Sequence, residues 1–236
     1  MGASDITKEC DFEFFQKAKH YRHVLQIHQS DLPDWRSDLP DLAFAYDCAL
    51  STVISVFERA GSVCLLQIDK DLHRRAAVSA SMFQNIALVE TAIRNAQYIG
   101  ASALIRQELE GLEVLRGMLA GKQIDRKNPR INALRNLGLG KIYGRLTGIA
   151  HLTFHEGLSH LTGGFPYSYD TRYNRQSCEL LVNCHVLGMA GLATVVAFDS
   201  RSLDQKHLTD VEEHHSALAL SVLGENGFLK LATASA

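Results

Sequence analysis

Apolar positions along this chain recur every three or four residues and are nowhere sustained at every second one, a spacing that predicts helices almost throughout. The pattern is clearest where Leu42, Ala45, Cys48, Ala49, Val53 and Val56 follow the 3.6-residue period, predicting a helix over about 41–66. A first helix is expected near 11–29, followed by an acidic turn carrying Asp31, Pro33, Asp34, Asp38 and Pro40. A third helix is expected over about 71–99, and a fourth over 101–120 with Leu104, Leu109, Leu112 and Leu115 on its core side. Shorter ones should cover 128–137 and 139–154. Over 156–176 the periodicity dissolves into glycine, tyrosine and serine, and a structureless loop of that length usually has a functional reason. Helices over 177–198 and 204–223 finish the chain, and no internal repeat is present. The expected fold is therefore all-α, a bundle of about seven to eight helices. Residues 1–40 would form an N-terminal helix and linker, and 41–236 the bundle domain.

Composition narrows the class. With 236 residues the chain can bury a full core, and 46% hydrophobic and 21% charged residues with a net charge of -2 point away from wholesale disorder and from a globally cationic coat. Five cysteines without a CxxC pair argue against a closed set of disulfides and for a reducing, cytoplasmic setting. Residues 1–11 lack the basic start and apolar run of a signal peptide. The most apolar stretch, 180–198, contains Asn183, His185 and Thr194, which would be costly in lipid. It is expected to be a buried core helix rather than a membrane span, with Gly188 and Gly191 allowing close helix packing.

Charge changes the picture locally. Residues 122–150 hold Lys122, Arg126, Lys127, Arg130, Arg135, Lys141 and Arg145 against one acid, Asp125, a formal +6 that leaves -8 for the remainder. Such asymmetry suits a phosphate-binding face, and it equally suits a solvated loop and helix surface. Gly140, Gly144 and Gly148 follow at four-residue spacing, along one ridge of a helix. Each costs about 1 kcal/mol relative to alanine in a helix interior, so the row calls for a compensating approach by another backbone, or else Gly140 belongs to a turn. Ile142, Leu146, Ile149 and Ala150 form the apolar stripe, while Arg145 and His151 stand on the other side, separated by about 9 Å of rise and about 120 degrees. Joint action by that pair would need a helix break near Gly148 or two copies of the chain meeting across the ridge.

The run Tyr143-Gly-Arg145-Leu-Thr-Gly-Ile-Ala-His151 resembles the R-x4-6-H signature of the HEPN superfamily of helical, often dimeric proteins. Many members are metal-independent RNases acting as toxins or antiviral effectors. The resemblance implies that Arg145 and His151 correspond to the catalytic pair, within a bundle over 41–198. The chain departs from active members at Leu146, where they usually carry a polar residue. The chemistry is coherent, since histidine suits proton transfer at the ribose hydroxyl or leaving oxygen and arginine suits phosphorane charge. Tyr143, Thr147, Lys141, Arg135 and Arg130 are the candidate substrate contacts. No cofactor is implied; RNA, a second copy of the chain or another protein are the candidate partners.

Other constellations compete. His151, His155 and His160 with Glu156 offer an irregular metal site, although His155-Glu156-Gly-Leu-Ser-His160 is one residue too long for H-E-x-x-H. Glu212-Glu213-His214-His215 holds a single E-x-x-H where a di-iron bundle needs two, so an exposed acidic helix is expected. Arg106, Glu108, Glu110 and Glu113 read as a solvent-facing row, one member of which could hold Arg145 across the bundle. Walker, G-x-S-x-G and dinucleotide-binding motifs are missing from the sequence.

Overall fold

Helices are the only regular elements among the residues that the computed structural model describes, namely 12–61, 70–121, 139–153, 171–201 and 208–229. In chain order they are α1 (Phe12–Ser30), α2 (Trp35–Asp38), α3 (Pro40–Gly61), α4 (Lys70–Arg94), α5 (Tyr98–Leu119), α6 (Gly140–Ala150), α7 (Arg175–Arg201) and α8 (Asp210–Glu225). The all-α bundle expected from periodicity is what forms. The single-turn α2 occupies the acidic turn, where Asp34 accepts the Arg36 amide as an N-cap. Its Trp35 is buried edge-on against Tyr46. The expected helix over 128–137 and most of the 156–176 loop lie outside the described residues.

The apolar stretch at 180–198 becomes α7, the axis of the bundle, packed against α3, α4, α5 and α8. Buried residues on every side of it, from Leu181 and Val182 through Met189 and Leu192 to Val196, match a helix apolar all round. Its three interrupting polar residues each find a partner inside the protein, although His185 Nε2 and Glu108 Oε1 have none among the described residues. Asn183 donates to the Glu179 carbonyl and accepts from Asn226, Thr194 donates to the Ala190 carbonyl, and His185 meets Glu108 at 2.8 Å. Near its end, Asp199 takes the Arg75 guanidinium at 2.9 Å. Gly188 and Gly191 serve close packing as expected. A Cβ at Gly191 would lie 2.9 Å from the Leu112 side chain, and one at Gly188 would lie 3.2 Å from Glu108.

Two expectations about charge fail. Glu108 does not face solvent with its row: it is 3% exposed and faces α7, because positions 108 and 112 of α5 share the side that packs there. Glu212 is likewise 3% exposed rather than part of an exposed acidic helix. It closes a capping box with Thr209 at the start of α8 and takes Arg59 and Ser55 from α3. Helix ends also differ. α4 stops at Arg94, where Ala96 enters the left-handed region at φ 52 and Gln97 donates back to the Ala92 carbonyl, a closure made without glycine or proline.

Three helices, Pro40–Gly61, Asp71–Arg94 and Arg175–Asp199, are long and apolar enough by length and composition to cross a membrane. In the last, 78% of the apolar window is buried inside the bundle, so packing against other helices accounts for its composition.

Candidate functional site

The eleven residues of α6 are too few to form a stable helix alone, so tertiary packing must hold it. Leu146 at 0% and Ile149 at 8% exposure supply that packing, with half-buried Ile142 and Tyr143 beside them, and the helix lies along α5. The apolar stripe expected in the sequence is the stripe that is buried. A polar residue at position 146 would lie in the core.

Rather than running on to 154, α6 ends at Ala150 with His151 as its C-cap. Leu152 donates to the Ile149 carbonyl at 3.0 Å and Thr153 to the Gly148 carbonyl at 2.8 Å, the paired bonds of a Schellman closure. Leu152 supplies the left-handed residue at φ 55, a position where glycine is usual. The chain therefore turns immediately after His151, leaving its ring exposed at the helix end.

There the ring meets α5. The Arg106 Nη1 lies 2.7 Å from His151 Nε2, and because guanidinium only donates, Nε2 must accept and the ring proton belongs on Nδ1. Arg106 Nε donates to Glu110 Oε1 at 2.9 Å, one turn along α5, and the same oxygen accepts the Tyr143 hydroxyl at 2.5 Å. The result is a chain of side chains, Tyr143 to Glu110 to Arg106 to His151, that ties the two helices together. The neighbouring Tyr143 hydroxyl, followed by Glu110, raises the Arg106 guanidinium further above its ordinary pKa despite partial burial, so Arg106 stays a cation.

The expected Arg145–His151 pair is not assembled within one chain. Arg145 is exposed and makes no hydrogen bond or ion pair among the described residues, and no residue of the α5 row holds it. Glu110 holds Tyr143 and Arg106 instead. Lys141 is exposed on the same helix, whereas the Thr147 hydroxyl is buried and so is not presented to a phosphate. Tyr143 is committed to Glu110. Arg130, Arg135, His155, Glu156 and His160 lie outside the described residues. Among the described residues no group of three or more His, Cys, Asp or Glu could hold a metal ion.

Sequence reasoning missed Arg106 and Glu110 as site residues, although their i,i+4 spacing and the search for an arginine partner across the bundle were signals pointing there. The Gly144 face bears on what this edge can receive. A Cβ there would meet nothing within 4 Å among the described residues, so none of these offsets the helix cost of that glycine. A separate cleft of about 450 Å³, bordered by Pro40, Leu42, Phe44, Arg175 and Val222, shares no residue with the cluster. Comparison of the chain with protein-family models, with curated proteins and with solved structures finds no match.

Proposed function

We propose that the chain is a HEPN-like RNA-binding protein that cleaves RNA without a metal ion, with the α5–α6 edge as its site. The observation that carries this reading is the Arg106–His151 hydrogen bond of 2.7 Å on an exposed helix end, with exposed Arg145 and Lys141 farther back along the same helix. Arg106 uses Nε on Glu110 and Nη1 on His151, two of its five N–H donors, and another can donate to a phosphate oxygen. An incoming phosphate would draw the guanidinium toward itself, freeing the Nε2 lone pair to take the ribose 2′-hydroxyl proton. The 2′ oxygen then attacks the adjacent phosphorus and the bond to the 5′ oxygen breaks, that oxygen taking a proton from water whose hydroxide is neutralised by the proton on His151, while the arginine cation stabilises the phosphorane charge. In this reading Arg106 takes the place that the sequence resemblance assigned to Arg145, which becomes a phosphate contact with Lys141.

The test is cleavage of single-stranded RNA in EDTA by the parent, His151→Ala, Arg106→Ala and Arg145→Ala. Loss of proton transfer at His151 is expected to slow cleavage about 100-fold or more, and Arg106→Ala should do the same while circular dichroism stays unchanged. Arg145→Ala should mainly weaken binding. Cleavage by His151→Ala at the parent rate, or activity abolished by the chelator, overturns the reading.

That nothing among the described residues covers Gly144 favours a second reading, in which a second copy of the chain docks there and the protein serves as a non-catalytic dimerisation module. Sedimentation of Gly144→Leu checks it: a parent dimer that becomes monomeric, with no RNA cleavage by either protein, supports this alternative. Buried free thiols at Cys48, Cys178 and Cys184 fit the cytoplasmic setting that accompanies both readings.

A further inference from the structure

Outside the α5–α6 edge, the surface that stands out is α1. None of residues 16–30 is buried, whereas every other helix of ten or more residues contributes buried side chains to the core. Val24, Leu25, His28 and Gln29 are half-buried, with exposed Lys17 and Tyr21 interleaved on the same side. At about 100 degrees per residue, the opposite side of the helix holds Lys19, Arg22, His23 and Gln26, within an arc of about 100 degrees. All four are exposed and none forms a hydrogen bond or ion pair among the described residues. Glu13 is the one carboxylate in the helix, against Lys17, Lys19 and Arg22.

We infer that this face of α1 is a second RNA-contacting surface, gripping the phosphate backbone away from the point of cleavage. The inference rests on the RNA-binding reading above, and charge complementarity carries it. The face presents two fixed cations, an imidazole and an amide, donors of the kind that phosphate oxygens accept, with no carboxylate among them. A membrane surface is the weaker match, because helices that lie in lipid set large apolar side chains opposite their basic face. Here the large apolar side chains are few and divided around the helix: Val24 and Leu25 are half-buried, Tyr21 is exposed among them, and Ile27 is exposed at the edge of the basic face. The contact would be independent of base identity and sensitive to salt, so it would add affinity and processivity without specifying a sequence.

The experiment uses the full chain carrying His151→Ala, which keeps the probe intact. Anisotropy of a fluorescein-labelled single-stranded RNA of about 20 nucleotides is followed in EDTA between about 50 and about 200 mM salt. Lys19→Glu with Arg22→Glu is expected to weaken binding at least about tenfold at the lower salt. It should also flatten the log–log salt slope by about 1.4, two contacts at about 0.7 each. Lys19→Arg with Arg22→Lys should bind as the parent does, and helical content should be equal in all three. Parent-like RNA binding by the charge-reversed protein overturns this inference alone and leaves the α5–α6 site standing. Absence of RNA binding by the unreversed protein overturns both. Loss of binding to phosphatidylserine vesicles with RNA binding unchanged assigns the face to a membrane and also overturns it.

Discussion

Replacing Glu212 with alanine should destabilise the fold far more than its place in an acidic tetrad would suggest. The carboxylate is 3% exposed; Oε1 accepts the Ser55 hydroxyl at 2.7 Å, and Oε2 takes both Arg59 at 2.6 Å and the Thr209 amide at 2.8 Å. Losing half of a capping box costs about 1 kcal/mol, and breaking a buried ion pair costs about 3–5 kcal/mol. One oxygen serves both interactions, so the two do not add, and the Arg59 side chain is 23% exposed and can recover some hydration. The expected loss is about 3–4 kcal/mol. Glu212→Gln keeps the shape and one accepting oxygen but not the charge, and should lose about 2 kcal/mol. Urea unfolding followed by circular dichroism measures both. The pH dependence gives an independent reading. Burial alone would raise the carboxyl pKa, but the Thr209 amide, the Ser55 hydroxyl and Arg59 outweigh it and hold the group below the ordinary carboxylate range. A folded pKa below the unfolded one means the contribution is fully present above the ordinary carboxylate range and is lost as pH falls through the lowered value. Glu212→Gln should therefore flatten the acid limb of the stability profile. An alanine variant within about 1 kcal/mol of the parent, or a glutamine variant with an unchanged acid limb, refutes the reasoning.

Leu152→Gly should stabilise the protein by about 0.5–1 kcal/mol, because the exposed leucine holds a left-handed backbone that glycine adopts freely; a lowered melting temperature would show that the leucine side chain compensates. Burial pushes the Cys178 and Cys184 thiols up to about 12, and burial also raises Cys48. A Cys10→Ser, Cys64→Ser variant should therefore resist a thiol reagent at pH 8 until denaturant is added, and rapid labelling of the folded protein would contradict this.

Much of the architecture was legible because helical periodicity is a local property. The stripe of Ile142, Leu146 and Ile149 and the close-packing glycines of α7 needed only the turn of the helix to be assigned. Where the closing residue was Ala96 or Leu152, nothing in the local sequence marked the helix end, and the expected boundaries ran long. Charge was the least legible feature. Glu108, Glu110 and Glu113 look alike in sequence, yet one is buried against His185 and one holds Tyr143 and Arg106. Which of these occurs depends on the helix that covers each side of α5, and local pattern carries no record of it.

From the residues alone came the helical class, the central place of the apolar segment that is α7, and an interest in His151 beside a cationic, glycine-bearing stretch. Only the folded chain chose Arg106 as its partner, 45 residues away in sequence, and turned Arg145 outward. The physical reason is that a hydrogen bond between two helices is set by how their buried faces lock together, an outcome of the whole core rather than of either segment.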